Sequence, residues 1–340
     1  MSDPSAVLAT DAELEAVVGP PPKAIMLKSI GFLDDHCRRF LACSPFAVLG
    51  TTTADGARRM VALGGEPGVA SAGGDVLELD EVSGADLIDG APAGMLALVP
   101  GYGETLRING RLRVAGARAA LEVEEAFLHC AKAIVRSQLW STPAASDGAD
   151  RGTTPTLEDF LGQAPFVLLA SIDGDGRADV SPKGDPAGLI RRIDDTTIAI
   201  ADRPGNRRTD TLHNLMDDPR LALLAMVPGS GLVSEIRGTA RVSTDPELLE
   251  SMRLRDRTPK VAVVVDVAHR ELRPEPAIGA AHLWDPSRHV AKGTLPRAAA
   301  IWADHVRRND DTSTGAKVAR RVVSETALAA GVALDYRTNL

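Results

Sequence analysis

The stretch FLACSPFAVLGTTTADG, residues 40–56, lies over FLGQAPFVLLASIDGDG, residues 160–176, at a constant offset of 120, with seven identities in seventeen positions. Pro45 matches Pro165, and Asp55-Gly56 matches Asp175-Gly176. Further along, LALVPGYGETLRINGRLRV (96–114) lies over LAMVPGSGLVSEIRGTARV (224–242) at offset 128, with ten identities in nineteen. At offset 144, Ala133, Ile134, Leu139 and Trp140 match Ala277, Ile278, Leu283 and Trp284. The order is kept throughout, and the matched Pro, Gly and Trp are not residues that unrelated strands share. The chain therefore reads as two related halves. The rising offset gives the second half about eight extra residues in its middle and about sixteen after Val242.

Both halves have the same layout. A short helix, TLEDFL in the second half with Thr156 and Asp159 at capping-box spacing, precedes apolar runs broken by Asp-Gly and Pro-Gly turns. Short β-rich runs joined in this way predict an antiparallel barrel with a few helices outside it, among them TLHNLM (211–216) and PELLESM (246–252). The Ser, Thr, Ala, Gly and Pro of 141–155 predict a linker. The expected organisation is an extension over 1–27, repeats over 28–140 and 156–290, and a helical extension over 291–340 that serves packing or oligomerisation.

Composition agrees with a globular chain. Its 340 residues are long for one domain, and 44% hydrophobic with 25% charged residues excludes a disordered or fibrous protein. Aromatic residues make up only 3%, so Ala, Val, Leu and Ile must fill the core. A net charge of −8 without a basic block argues against a nucleic-acid partner. Cys37, Cys43 and Cys130 are too few for a disulfide framework and fit a reducing compartment. The acidic N-terminus is unlike a signal peptide, and no apolar run is long enough for a membrane span. A cytoplasmic protein without a membrane partner is expected. The dipeptides His36-Cys37 and His129-Cys130 lack CxxC or HxxxH spacing, so no metal is expected.

The residues best suited to chemistry lie in RADVSPKGDPAG (177–188) and ADRPGNRRTDTLHNL (201–215). Gly and Pro make tight turns whose N–H groups can face an anion, while Lys183, Arg207 and Arg208 supply positive charge, so a phosphate is the natural guest. Together with ETLRINGR (104–111) and HCAKAIVRSQLW (129–140), these motifs make the chain resemble the pyridoxamine 5′-phosphate oxidase-like, split-barrel FMN-binding flavoproteins. The resemblance covers both halves. It implies a mainly β fold with helices, two tandem six-stranded split barrels paired as in that family's dimers, and FMN in the groove between them.

The motifs have decayed unevenly. The second half keeps SPKGDP and RPGNRR, whereas the first has LGGEPG, with Gly64-Gly65 roughly where Pro182-Lys183 stand, and lacks the RPGNRR loop. Conversely, Arg107 and Asn109 of the first half become Glu235 and Arg237, and Lys132 and Arg136 become Pro276 and Ala280. A fused pseudo-dimer would then carry one composite flavin site; the alternative is that both grooves have decayed. The resemblance assigns Arg207, Arg208, Lys183 and Ser181 to the FMN phosphate, and Asn206 and Asp210 to the loop or the ribityl chain. It brings Arg107 and Asn109 to the flavin or substrate from the facing strand, with Lys132, Arg136 and Trp140 along the outer side of the ring. Trp284 would mark the empty groove.

The activity implied is an FMN-dependent oxidoreductase for a small organic substrate, with oxygen or NAD(P)H as redox partner, in a monomeric pseudo-dimer or a homodimer. A deazaflavin cofactor, or haem in a protein without turnover, stays open.

Overall fold

The computed structural model describes residues 6–74, 76–79, 82, 86–116, 118–141 and 155–339. Positions 142–154 of the expected linker and residues 1–5 lie outside the described residues.

After a two-residue strand β1 (Val7–Leu8), the first half supplies β2 (Phe46–Thr52), β3 (Arg58–Gly64), β4 (Ala70–Gly73), β5 (Val76–Leu79), β6 (Pro92–Leu98), β7 (Thr105–Ala115) and β8 (Arg118–His129). They form an antiparallel sheet in the order β3-β2-β6-β7-β8-β5-β4. The second half supplies β9 (Phe166–Ile172), β10 (Ala178–Gly184), β11 (Ile190–Arg192), β12 (Thr197–Ala201), β13 (Arg220–Met226), β14 (Leu232–Ser243) and β15 (Ala262–Pro274). Their order, β10-β9-β13-β14-β15-β12-β11, repeats the first strand for strand. Neither sheet closes into a full barrel, as befits a split one.

Local chemistry accounts for the repetition. The runs FAVLG and FVLLA are buried on both faces, which an unbroken apolar run permits and an alternating one does not. Each ends in an Asp-Gly turn whose glycine, Gly56 or Gly176, has φ of 82°, a conformation nearly free of cost only without a Cβ. Both long hairpins carry a bulge at matched places, Asn109/Gly110 in β7 and Arg237/Gly238 in β14.

Outside the sheets run α1 (Asp11–Val18), α2 (Lys23–Met26), α3 (Asp35–Ala42), α4 (Lys132–Ser137), α5 (Leu157–Gln163), α6 (Asp210–Asp217), α7 (Pro246–Ser251) and α8 (Pro276–Ala280). The tail forms α9 (Ala298–Arg308), α10 (Thr314–Val322) and α11 (Glu325–Asn339). The sequence reads continuously helical over the last two, but Ser324 breaks it, its hydroxyl accepting from Ala327 N and starting a new helix. No helix among the described residues is long and apolar enough to cross a membrane.

The repeats meet reciprocally. β10 lies against β2, β6 and β7, while β3 lies against β9, β13 and β14. A shared apolar core contains Phe46, Leu96 and Leu98 from one side and Phe166, Leu224 and Met226 from the other. α4 of the first repeat sits on β10 of the second, and α8 of the second sits on β3 of the first. The extensions cross over as well. β1 pairs with β14, and Leu14 and Val18 of α1 enter the core of the second repeat, whereas Ile301 and Trp302 of α9 enter that of the first.

Strand register corrects one sequence alignment. Leu63 faces Ala47 as Lys183 faces Val167, so the buried Leu63, not Gly64-Gly65, stands where the phosphate-motif lysine does. Gly64 and Gly184 are the true equivalents, and each is needed for close approach: a Cβ on Gly64 would fall on the Ala277 carbonyl, and one on Gly184 on the Ala133 carbonyl. Gly64→Ala and Gly184→Ala should each destabilise the protein by about 1–3 kcal/mol through overpacking. Gly162→Ala, with open space around it, should not destabilise. Chemical denaturation of the three variants checks this, and equal midpoints would show that helix and strand part freely.

Candidate functional site

Between the repeats lies a cavity of 840 Å³. Ser181 and Lys183 reach it from the end of β10, and Asn206, Arg207, Arg208 and Asp210 from the loop between β12 and α6. The first repeat contributes Arg107 from β7 and Lys132 and Arg136 from α4. These nine sequence-predicted residues are thus drawn from both halves into one place.

Asn109 and Trp140 are not among the lining residues. The Asn109 amide donates to Glu125 Oε2 at 2.9 Å. Trp140 donates to the Tyr102 carbonyl at 2.8 Å, and Trp284 donates to that of Ser230 at 2.8 Å, its matched position. The two rings lie 6.0 Å apart, so instead of marking separate grooves they pack on each other where the repeats meet.

Electrostatically the cavity is the reverse of the chain. Nine Lys and Arg side chains line it against three Asp, in a protein of net charge −8. These cations are not equivalent. Arg208 is 4% exposed and donates to Asp210 at 2.5 Å, to Ser29 at 2.5 Å and to Glu125, with its guanidinium 3.5 Å over the Phe127 ring. Burial opposes its charge, but Asp210 and Glu125 more than offset that and raise its pKa. Arg208 is therefore committed to a buried network rather than available to a phosphate. Arg207 differs: its backbone is left-handed at φ 57°, its side chain is exposed, and it makes no ion pair among the described residues. Lys183 pairs with Asp202, and Arg136 donates to the Pro204 carbonyl at 2.6 Å, holding the loop against α4.

Arg107 is buried and bridges the repeats, pairing with Asp179 of β10 and, at 3.3 Å, with Asp210 of α6. Burial lowers its pKa to about 10. Its Nη1 donates to His129 Nδ1 at 3.2 Å. Burial and the cations Arg107, Arg208 and Lys183 push the His129 pKa well down, so the imidazole faces the cavity neutral.

The register-equivalent groove is built differently. Glu235 stands for Arg107 and pairs with Arg273, the counterpart of His129, at 3.5 Å; Arg273 also donates to Glu275 at 2.7 Å. These charges satisfy one another. The pocket beside Gly65 and His282 measures only 180 Å³, below the roughly 300–1,000 Å³ of ligand pockets.

The sequence reading missed the walls contributed by the extensions. Pro22, Ala24 and Ile25 line the cavity, and Lys28, at the start of the first repeat, holds its ammonium 4.0 Å over the Trp302 ring of the C-terminal extension. α11 covers one side with Leu328, Val332, Asp335 and Tyr336. Asp335 pairs with the buried Lys132 at 2.7 Å, and the Tyr336 hydroxyl accepts from Ala131 N at 3.0 Å. Nothing in the tail's periodicity separates a helix that packs from one that walls a site.

Beside this wall, burial raises the carboxyl of Glu104 to about 7. A carboxyl whose folded pKa exceeds its unfolded value favours folding fully below the ordinary carboxylate range, and that contribution is lost as pH rises through about 7. Glu104→Gln should therefore match the wild type in acid and exceed its stability by up to about 3 kcal/mol at about pH 8. Denaturation curves at the two pH values check this; parallel curves would place Glu104 in water.

The family model described as pyridoxamine 5′-phosphate oxidase matches residues 153–292. No curated protein matches the chain. Among solved structures, HupZ of Group A Streptococcus is 20% identical over 36% of this chain and 96% of its own, with a TM-score of 0.30. An F420 reductase is 18% identical over 35% and 98%, with a TM-score of 0.27. The General Stress Protein 26 of Bacillus anthracis is 14% identical over 35% and 92%, with a TM-score of 0.28. Likeness at this level assigns neither ligand nor reaction. The family match spans β9 to β15, so the second repeat is a unit of the pyridoxamine 5′-phosphate oxidase type, and the first sheet repeats its strand order.

Proposed function

We propose that the protein is an FMN-dependent oxidoreductase acting on a small organic substrate, with one flavin per chain in the composite cavity. The observation that carries this reading is the cavity itself: 840 Å³, cationic in an acidic protein, and assembled from the motifs that each repeat keeps. Its donors suit a phosphorylated cofactor. Arg207 supplies an exposed guanidinium, and Ser181 and Lys183 line the same cavity. The volume falls in the range of small-molecule and cofactor sites, while the pocket of the other groove measures 180 Å³ and its Arg288 pairs with Glu66.

When bound, the flavin supplies the electron chemistry, a hydride passing between its ring and the substrate. The chain's own residues bind and orient. Arg207 donates charge-assisted hydrogen bonds to the phosphate, with Lys183 and Ser181 beside it. Arg208 and Asp210 hold the loop in place, and Asn206 braces it by accepting from Arg208 N at 3.1 Å. The neutral His129, with its Nδ1 occupied by Arg107, presents its other nitrogen as a proton donor on the first-repeat side. Lys132 and Arg136 line the wall that α11 closes against water.

Extraction of the cofactor, with its absorption spectrum, mass and ratio to chain, tests the reading. One FMN per chain is expected; two or none would overturn it, and a deazaflavin or haem would replace it. Arg207→Ala should weaken flavin binding about 10- to 100-fold with the fold intact. Arg208→Ala should instead lower stability by about 1–3 kcal/mol, because it takes the cation from the part-buried Glu125 and leaves Asp210 with Arg107 alone. Flavin titration and denaturation of both variants separate the roles, and equal effects on binding and stability would contradict them.

A further inference from the structure

The pair His36-Cys37 has no metal-binding spacing in the sequence, and the proposed flavin chemistry makes no use of it. Tertiary packing changes its setting. Asp34 caps α3, accepting from Cys37 N at 3.0 Å, and α9 brings His305 onto the same spot from 268 residues further along the chain. One ligand atom from each of Asp34, Cys37 and His305 lies within 4.8 Å of the other two, and the three residues are 3%, 1% and 0% exposed.

The imidazole decides what this cluster is. His305 Nδ1 is 3.1 Å from the Lys28 carbonyl, which can only accept, so Nδ1 carries a proton. Nε2, the nitrogen that the Lys28 carbonyl leaves free, faces Asp34 Oδ1 at 3.5 Å. Nε2 is buried and has no hydrogen-bond partner. A proton on Nε2 would form a charge-assisted bond of about 2.7–2.9 Å, and the observed gap is well beyond that. Two ligands of one tetrahedral ion with bonds of about 2.0–2.3 Å lie roughly 3.3–3.7 Å apart, which the His305–Asp34 separation already matches. The surroundings are also those of ligating groups: the other imidazole nitrogen donates to a backbone carbonyl, and Arg308 donates to Asp34 Oδ2 at 3.2 Å.

We propose that Asp34, Cys37 and His305 bind a divalent cation of the zinc type, which clamps the C-terminal helices onto the first repeat. Thiolate, imidazole and carboxylate together suit zinc better than calcium or magnesium, which prefer all-oxygen shells. On binding, the Cys37 proton leaves to solvent, and water takes the fourth position. The clamp is structural, and by fixing α9 it holds the tail whose last helix walls the cavity.

The test uses the full-length protein, stripped with a chelator and titrated with Co²⁺ as a spectroscopic probe and then with Zn²⁺. One Co²⁺ per chain should bind and give the visible bands of a tetrahedral thiolate site, to the red of any flavin absorption, and Zn²⁺ should erase them. Cys37→Ser, nearly isosteric, should abolish those bands and weaken Zn²⁺ by more than the about 10- to 100-fold that loss of a supporting group costs. Cys43→Ser should change nothing. Zn²⁺ should raise the melting temperature of the wild type but not of Cys37→Ser, with circular dichroism confirming that the variant folds. Absence of stoichiometric Co²⁺ binding, or bands that survive Cys37→Ser, would overturn the site and leave a protonated His305 paired with Asp34. None of these readouts depends on flavin, so the site stands or falls apart from the proposed oxidoreductase activity.

Discussion

A guanidinium withdrawn from water must find its counter-charges close by, and Arg107 finds its own in the other repeat. It is 1% exposed, and its carboxylate partners, Asp179 and Asp210, belong to β10 and α6. Removing Arg107 or Asp179 alone would leave the opposite charge buried and unpaired, at a cost of several kcal/mol. The network runs on through Asp210 to Arg208 and Glu125, returning to the first repeat. Phe127 lies beneath both guanidiniums, at 4.7 Å and 3.5 Å, so one of the chain's few aromatic rings serves as a platform for cations. The cavity exists because this network holds β7, β10 and the loop before α6 at fixed distances.

The same constraint makes the two grooves unlike. Glu235 stands where Arg107 does, and Arg59 stands at the register position of Asp179, so both signs are reversed. In the second groove Glu235 turns to Arg273 within its own repeat. Without the longer loop and with Leu63 in place of Lys183, that groove fills with apolar atoms and ion pairs. Asymmetry between the halves thus comes from a small number of exchanged charges and one longer loop on a common order of strands.

The crossed extensions complete the enclosure. The N-terminal segment packs on the second repeat and the C-terminal helices on the first, and both arrive at the cavity, through Val18 and Ile25 on one side and Asp335 and Tyr336 on the other. The helical tail was legible from the sequence, but its docking was not, since an amphipathic pattern gives a buried face without naming its partner. Register was legible only to about two residues: Gly64-Gly65 aligned with Pro182-Lys183 until strand pairing set Leu63 opposite Ala47. Trp140, which lies away from the cavity, and the pairing of Arg208, which lines it, were hidden for a related reason. A charged or aromatic residue beside a phosphate motif looks available, and only packing shows that one is consumed by Glu125 and Asp210 and the other by Trp284.

What the sequence by itself determined is the repetition and its uneven wear. Apolar runs, Asp-Gly turns and matched Trp positions are local patterns, and local patterns set strands, turns and their order. That each half keeps what the other has lost could also be read from residue identity alone. Tertiary structure decided which of those residues share a space. It joined Arg107 to Asp179, set α11 over Lys132 and carried His305 to Cys37, because contacts between residues far apart in sequence depend on how whole sheets and helices pack.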